Sequence, residues 1–204
     1  MKIIINEWQL RLLIESEDED NLLDFTPFMY ADSDKWDGMF THLNKKRGGR
    51  YTGYYINGNI DIRNSPIKEF KYLVRVKGNL IANGSKIESL GKLERVTQNL
   101  KLSNTKNLKS LGNLKYVGFD LNLDNSEIEN LGYLNQVGRS LDLRFTHKLK
   151  SLGDVSPEFS KQDDSKKGYK IFVSDFLSVA GTGLSDEQID KIKHTWLSKS
   201  MFGH

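Results

Sequence analysis

The residues with side chains able to do chemistry are scattered. Four histidines, His42, His147, His194 and His204, share no ligand spacing. Asp120, Asn122 and Asp124 alternate along one segment, so their oxygens fall on one side of an extended chain. Oxygens in such a set suit a hard cation, but no calcium-loop spacing accompanies them. The simpler reading of the three is a solvated strand face. Lys45-Lys46-Arg47-Gly48-Gly49-Arg50 places cations beside two glycines. That run suits contact with phosphates, and it suits better the end of a helix, where the carbonyl terminus favours cations. There is no Gly-rich phosphate loop, nucleophile elbow, H-E-x-x-H pair or paired-carboxylate motif. The sequence therefore predicts a protein that is not an enzyme and carries no metal or cofactor.

What must position these residues is a repeat. Five similar passages of twenty to twenty-one residues run through the middle of the chain. They open at Ile60-Asp61-Ile62, Leu80-Ile81-Ala82, Leu100-Lys101-Leu102, Leu121-Asn122-Leu123 and Leu141-Asp142-Leu143. A hydroxyl follows each opening, at Ser65, Ser85, Thr105, Ser126 and Thr146. An aliphatic comes next, at Ile67, Ile87, Leu108, Ile128 and Leu149. The passages close on Val76, Val96, Val117, Val137 and Val155. A fixed period of this length means one structural unit stacked on copies of itself. The alternation at each opening is that of a strand, with two aliphatics pointing inward. The glycines Gly91, Gly112, Gly132 and Gly153 are expected to turn corners at positive φ. Five coils at strand spacing predict a stack about 24 Å long.

The residues between and beside the leucines then form outward rows. One is Asn59, Asn79, Asn99, Asp120, Ser140; the second is Asp61, Ile81, Lys101, Asn122, Asp142; the third is Arg63, Asn83, Ser103, Asp124, Arg144. Repeat proteins usually bind through such a face. The candidate protein-binding residues are Arg63, Lys101, Asn122, Asp124, Asp142 and Arg144, with the two arginines as anchors. The bland alternative is a face kept polar for solubility. Tyr72, Tyr116, Phe119 and Tyr133 mark the opposite surface as a rival.

The pattern resembles the leucine-rich repeat, L-x-L-x-x-N-x-L, with Ser or Thr in place of its Asn. It departs from that family by lacking the Asn in every copy. The second half, Ser-Leu-Gly-x-Leu-x-x-Val, is similar to short repeats of bacterial and phage proteins and to the L domains of growth-factor receptors. The resemblance implies a right-handed solenoid. It implies no particular ligand.

The expected fold class is α+β: a right-handed leucine-rich-repeat-like β-solenoid of about five coils with helical caps at both ends. Residues 1–50 form a helical cap or docking segment, 51–157 the solenoid, and 158–204 a last strand and a capping helix. Asn6 and Ser33 are candidate helix caps, and Asn21 to Tyr30 is apolar but irregular. Ser185-Asp186-Glu187-Gln188 reads as a capping box, with Leu184 and Ile189 as its staple. The acidic run Glu15 to Asp20 reads as a linker.

The net charge of +3 is small, and from Tyr51 to Val155 about sixteen Lys/Arg stand against about ten Asp/Glu. That excess is too mild to point to nucleic acid. Cysteine is absent, so no disulfide or thiolate site exists. The apolar stretch Ile3 to Ile5 is too short for a signal peptide, and no run reaches membrane length. The expected place is the cytoplasm (host cytoplasm or virion if the chain is phage-encoded). The expected role is a non-catalytic protein-interaction module whose partner is another protein, with oligomeric state open. The alternative is an assembly component of a phage particle that docks through the N-terminal helix, since the opening Ile-Ile-Ile-x-Glu-x-Gln-Leu is similar to starts of small phage proteins.

Overall fold

The structure, a computed structural model, describes residues 21–26, 32–63, 65–152, 154–156, 170–173 and 175–193. It is α+β, with a parallel β-solenoid of about four turns and two short helices. The expected helix after Asn6, the acidic run and Gly153 lie outside the described residues.

Each coil makes two short strands rather than one. The Leu-x openings form β3 (Ile60–Asp61), β5 (Leu80–Ile81), β7 (Leu100–Lys101), β9 (Leu121–Asn122) and β11 (Ser140–Asp142). The closing ends of the repeats form a second series: β2 (Gly53–Ile56), β4 (Leu73–Val76), β6 (Arg95–Val96), β8 (Tyr116–Val117) and β10 (Gln136–Val137). All pairings are parallel, and the repeats stay in register, Leu80 opposite Leu100 and Val96 opposite Val117, with one shift between Tyr54 and Tyr55 where β2 meets β4. Between the two sheets the aliphatics close into one core, and Leu80, Leu100, Leu121, Leu141, Val96, Val117 and Val137 are all fully buried. Gly91, Gly112 and Gly132 hold φ of 56° to 57° at matching corners, as the period requires.

Four additional strands extend the sheets. β1 (Leu22–Asp24), in the stretch expected to be irregular, pairs with β2 at one edge of the larger sheet. At the other end lie β12 (Asp154–Ser156), β13 (Lys170–Val173) and β14 (Phe176–Ser178). The eight-stranded sheet runs β1-β2-β4-β6-β8-β10-β13-β12, and the six-stranded sheet β14-β11-β9-β7-β5-β3. Val173, not Val155, sits opposite Val137, because β13 inserts between β10 and β12. The reason is in the sequence. Val173, Leu177, Val179, Thr182 and Leu184 repeat the spacing of Val137, Leu141, Leu143, Thr146 and Leu149 closely. Lys170–Val173 and Phe176–Ser178 give one strand to each sheet, whereas the sequence after Val155 repeats no such spacing.

Helix α1 (Trp36–Lys46) buries Trp36, Met39, Phe40 and Leu43. Phe40 meets Tyr54 at 5.4 Å and Tyr72 at 5.0 Å between ring centroids. Tyr54 is fully buried, and its hydroxyl donates to Asp37 Oδ1 at 3.1 Å. Burial pushes both the Asp37 carboxyl and the Tyr54 phenol above their ordinary pKa. Ser33 does not cap α1. A 3-10 turn, Ser33–Lys35, precedes the helix, and the Ser33 hydroxyl lies 2.5 Å from that of Ser65. The glycines end α1 as expected, at φ of 76° and 72°.

At the far end, helix α2 spans 186–193. Its capping box is present: Gln188 N–H donates to Ser185 Oγ at 3.3 Å, and Ser185 N–H to Gln188 Oε1 at 3.2 Å. Among the described residues no helix is long and apolar enough to cross a membrane.

Candidate interaction face

The solvent side of the six-stranded sheet carries the candidate residues. Its central row stands as spacing predicts: Asp61, Ile81, Lys101, Asn122 and Asp142 face one another coil to coil, and Ser178 of β14 extends it.

The row beside it has a different job. Asn79 donates its backbone N–H and its Nδ2 to Asn59 Oδ1, at 2.8 and 2.9 Å. Asn99 does the same to Asn79 Oδ1, at 3.0 and 2.9 Å, and Asp120 N–H reaches Asn99 Oδ1 at 3.1 Å. An asparagine ladder therefore exists, but at the corner entering the strand and not at the hydroxyl position after it. These side chains satisfy backbone groups of the next coil, so they are structural rather than free for a partner.

The hydroxyls behave as buried turn elements. Ser85, Thr105, Ser126 and Thr146 are all buried. Thr105 and Thr146 donate to the carbonyls three residues back, Leu102 at 2.8 Å and Leu143 at 2.7 Å. Ser126 Oγ is buried with no hydrogen-bond partner. Just before each hydroxyl stands a residue at positive φ: Gly84, Asn104, Asn125, Phe145 and Gly181. Phe145, at 57°, is the bulky exception.

Neither arginine anchor is a lone charge. Arg63 Nε lies 3.0 and 3.1 Å from the two oxygens of Asp61, and Arg144 Nε and Nη2 reach Asp142 at 2.9 and 2.7 Å. Hydrogen bonding to Arg63 holds the Asp61 carboxyl below its ordinary pKa and raises that of the guanidinium. The two pairs sit on β3 and β11, four strands apart, or about 19 Å. Lys101 lies on β7 between them, and no carboxylate pairs with it among the described residues.

At the C-terminal end the face deepens into an open groove of about 590 Å³. Asn122, Asp142 and Arg144 line it, together with Asp120, Arg139 and Phe176. Arg63 and Lys101 are not part of it. Arg139 Nε donates to Asp120 Oδ1 at 2.7 Å, and this pair lowers the Asp120 pKa. Phe176 is 62% exposed, Phe145 49% and Phe119 48%. The Arg139 guanidinium lies 5.8 Å from the Phe119 ring centre. Arg139 and Phe176 went unnoticed in sequence. The spacing of the sixth copy was the signal that would have placed Phe176.

Asp120 is engaged by Arg139, Asn122 Oδ1 accepts the Asp124 N–H at 2.9 Å, and one Asp124 oxygen is buried without a partner. Among the described residues no group of three His, Asp or Glu side chains is placed to hold a metal. His42 and His147 are exposed and far apart in the fold; His194 and His204 lie outside the described residues. In the basic run, Arg47 and Arg50 each donate to the Tyr51 hydroxyl at 2.7 Å, as befits a helix end and its exit. No family model, no curated protein and no solved structure matches the chain.

Proposed function

We propose that this chain is a non-catalytic protein-interaction module, a right-handed leucine-rich-repeat-like solenoid of about five coils whose ends are capped by helices. Its partner is another protein, held at the groove end of the six-stranded sheet. Asn122, Asp142 and Arg144 supply orientation there, with Asp124 behind them, and Phe176 and Phe145 supply apolar anchors. Lys101 and Arg63 extend the polar face toward the other end and set register with a longer partner.

One observation carries the reading. Phe145 holds a left-handed backbone, half exposed, where neighbouring coils place Asn or Gly. A bulky residue in that conformation costs about 1 kcal/mol or more, so a purely structural position favours Asn. Strain kept at an exposed aromatic beside Arg144 fits a contact made with something else.

The test uses Phe145→Asn alone and Phe176→Ser with Arg144→Gln. Phe145→Asn should raise stability by about 1 kcal/mol in urea denaturation. Both variants should capture less of the proteins retained by immobilised wild type, compared by quantitative mass spectrometry. If both retain the same proteins in the same amounts, the groove is not the binding site.

A further inference from the structure

The two sheets finish differently at the C-terminal end of the stack. In the eight-stranded sheet β12 follows β13, whereas in the six-stranded sheet no strand follows β14 among the described residues. The repeat shows which backbone groups this leaves open. In each coil alternate residues turn their backbone groups toward the next coil. Leu80 and Ala82 N–H donate to the carbonyls of Asn99 and Lys101, Leu100 and Leu102 N–H to those of Asp120 and Asn122, and Leu143 N–H to that of Ser178. Leu177 and Val179 hold the same places in the last coil, with Leu177 opposite Leu141. The N–H groups of both, and the Leu177 carbonyl, therefore point off the end of the sheet, and among the described residues nothing bonds to them.

The side chains at this end are incompletely covered. Leu141 and Leu143 are fully buried, but Leu177 and Val179, which repeat them, are only partly buried, as are Ile189 and Ile192 of α2. An open strand edge templates pairing with another strand, so it is ordinarily protected by charge, proline or a covering element. The opposite edge of the same sheet has such protection. β3 carries the Asp61–Arg63 ion pair, and α1 packs over that end, where Asp37 accepts the Lys71 N–H at 3.1 Å and Ser33 meets Ser65. At β14 the chain from Phe176 to Gly183 holds no charged residue and no proline.

We propose that the edge of β14 pairs antiparallel with β14 of a second copy of this chain, giving a twofold dimer joined at the C-terminal ends of the two stacks. A twofold axis beside Ser178 sets Leu177 opposite Val179 of the second copy, and Val179 opposite its Leu177. The Val179 N–H of each copy then meets the Leu177 carbonyl of the other. On the inner side these two aliphatic pairs cover one another. On the outer side Phe176 falls opposite Ala180 of the second copy and Ser178 opposite Ser178, a large residue beside a small one and two small ones together. Charge decides the occupant. A twofold sets each strand against itself in reverse, so a charge at its centre would meet its own sign, and this strand has none. A copy added head to tail would present β3, whose end α1 covers, so the contact closes as a pair and does not run on as a filament. The inference uses the edge of β14 and not the solvent face of the groove, and it stands whether or not the groove holds another protein.

The test is analytical ultracentrifugation of the full chain over a range of concentrations, beside amide hydrogen exchange followed by NMR. Wild type should sediment as a dimer that dissociates on dilution. The Leu177 and Val179 amides should exchange slowly at high concentration and fast at low, while those of Leu100 and Leu102, bonded within the stack, stay protected at both. Val179→Pro removes one donor from each copy and should weaken the dimer about tenfold, as expected for two hydrogen bonds lost together. An edge strand tolerates proline where the N–H points off the sheet. Val179→Ala keeps the donor and should dimerise more tightly than Val179→Pro. Should Val179→Pro not fold, the exchange comparison on wild type decides alone. Arg144→Gln, on the groove, should leave the dimer unchanged, so a failure of the groove and a failure of the dimer are separate results. The proposal is overturned if wild type is a monomer at every concentration, if Val179→Pro dimerises as tightly as Val179→Ala, or if the Leu177 amide exchanges equally fast at high and low concentration.

Discussion

Thr105 and Ser126 occupy the same place in successive coils, yet their removal should have opposite effects. Both side chains are buried, Thr105 completely and Ser126 to 3% exposure. Thr105 Oγ1 donates to the Leu102 carbonyl at 2.8 Å. In the Ser126 coil the corresponding carbonyl, Leu123, is met by the backbone N–H of Ser126 at 3.1 Å, and the hydroxyl itself has no partner. Thr105→Val keeps the shape and deletes the donor, leaving a buried carbonyl short of a hydrogen bond at a cost of about 1–3 kcal/mol. Thr105→Ser keeps the donor and deletes only a methyl, for about 1 kcal/mol. Ser126→Ala removes a hydroxyl that was desolvated for no return, so stability should hold or rise by about 1 kcal/mol. The gap between Thr105→Val and Ser126→Ala is therefore about 1–4 kcal/mol. Urea denaturation with an unchanged m-value measures it. Equal losses in both variants would show that the hydroxyl column acts as one uniform ladder, and the coil-by-coil assignment of donors would be wrong.

Two further outcomes follow from the same geometry. At Gly91 an added Cβ would lie 1.9 Å from the Phe70 carbonyl oxygen at φ +56, whereas at Gly84, φ +65, it meets nothing within 4 Å. Gly91→Ala should cost about 3 kcal/mol or more and Gly84→Ala about 1 kcal/mol, measured by denaturation; similar values would contradict the corner packing. For pH, Arg63 and Arg139 hold the Asp61 and Asp120 carboxyls below their ordinary values, so their contribution is present above about pH 4 and lost as pH falls through the folded-state values. Asp37, raised by burial, works in the other direction and removes stability as pH climbs above the ordinary carboxylate range. Melting curves against pH should show an acid limb that flattens in Asp120→Asn, and a limb unchanged by that substitution counts against the pair.

The repeat made the stack legible because burial leaves a period in sequence. Every coil must place aliphatics at the same points, so Leu80, Leu100, Leu121 and Leu141 announce both the strand and its register. The second sheet was harder to see, since one valine per coil preceded by Arg, Tyr or Gln has no alternation to read. Only parallel pairing across coils makes it a strand. The asparagine row was visible as residues but not as a ladder. An outward Asn looks the same in sequence whether it meets water or the next coil's N–H, and only coil spacing decides.

The arginine anchors carry a feature that sequence also offered. Sequence shows Asp61 two residues before Arg63 and Asp142 two before Arg144, a spacing that puts both on one strand side. The bidentate pairing that follows is a local event and could have been anticipated. The groove was not foreseeable from the five copies alone, because its wall comes from a sixth whose opening follows a long interruption. Once Val173, Leu177, Val179 and Thr182 are set against Val137, Leu141, Leu143 and Thr146, Phe176 falls opposite Ser140 by register. An exposed aromatic then ends a row that is otherwise Asn, Asp and Ser. Where a repeat keeps its core and changes its outward residue this sharply, that residue is the one whose replacement tests the proposed groove most directly, which is why Phe176→Ser belongs in the capture experiment.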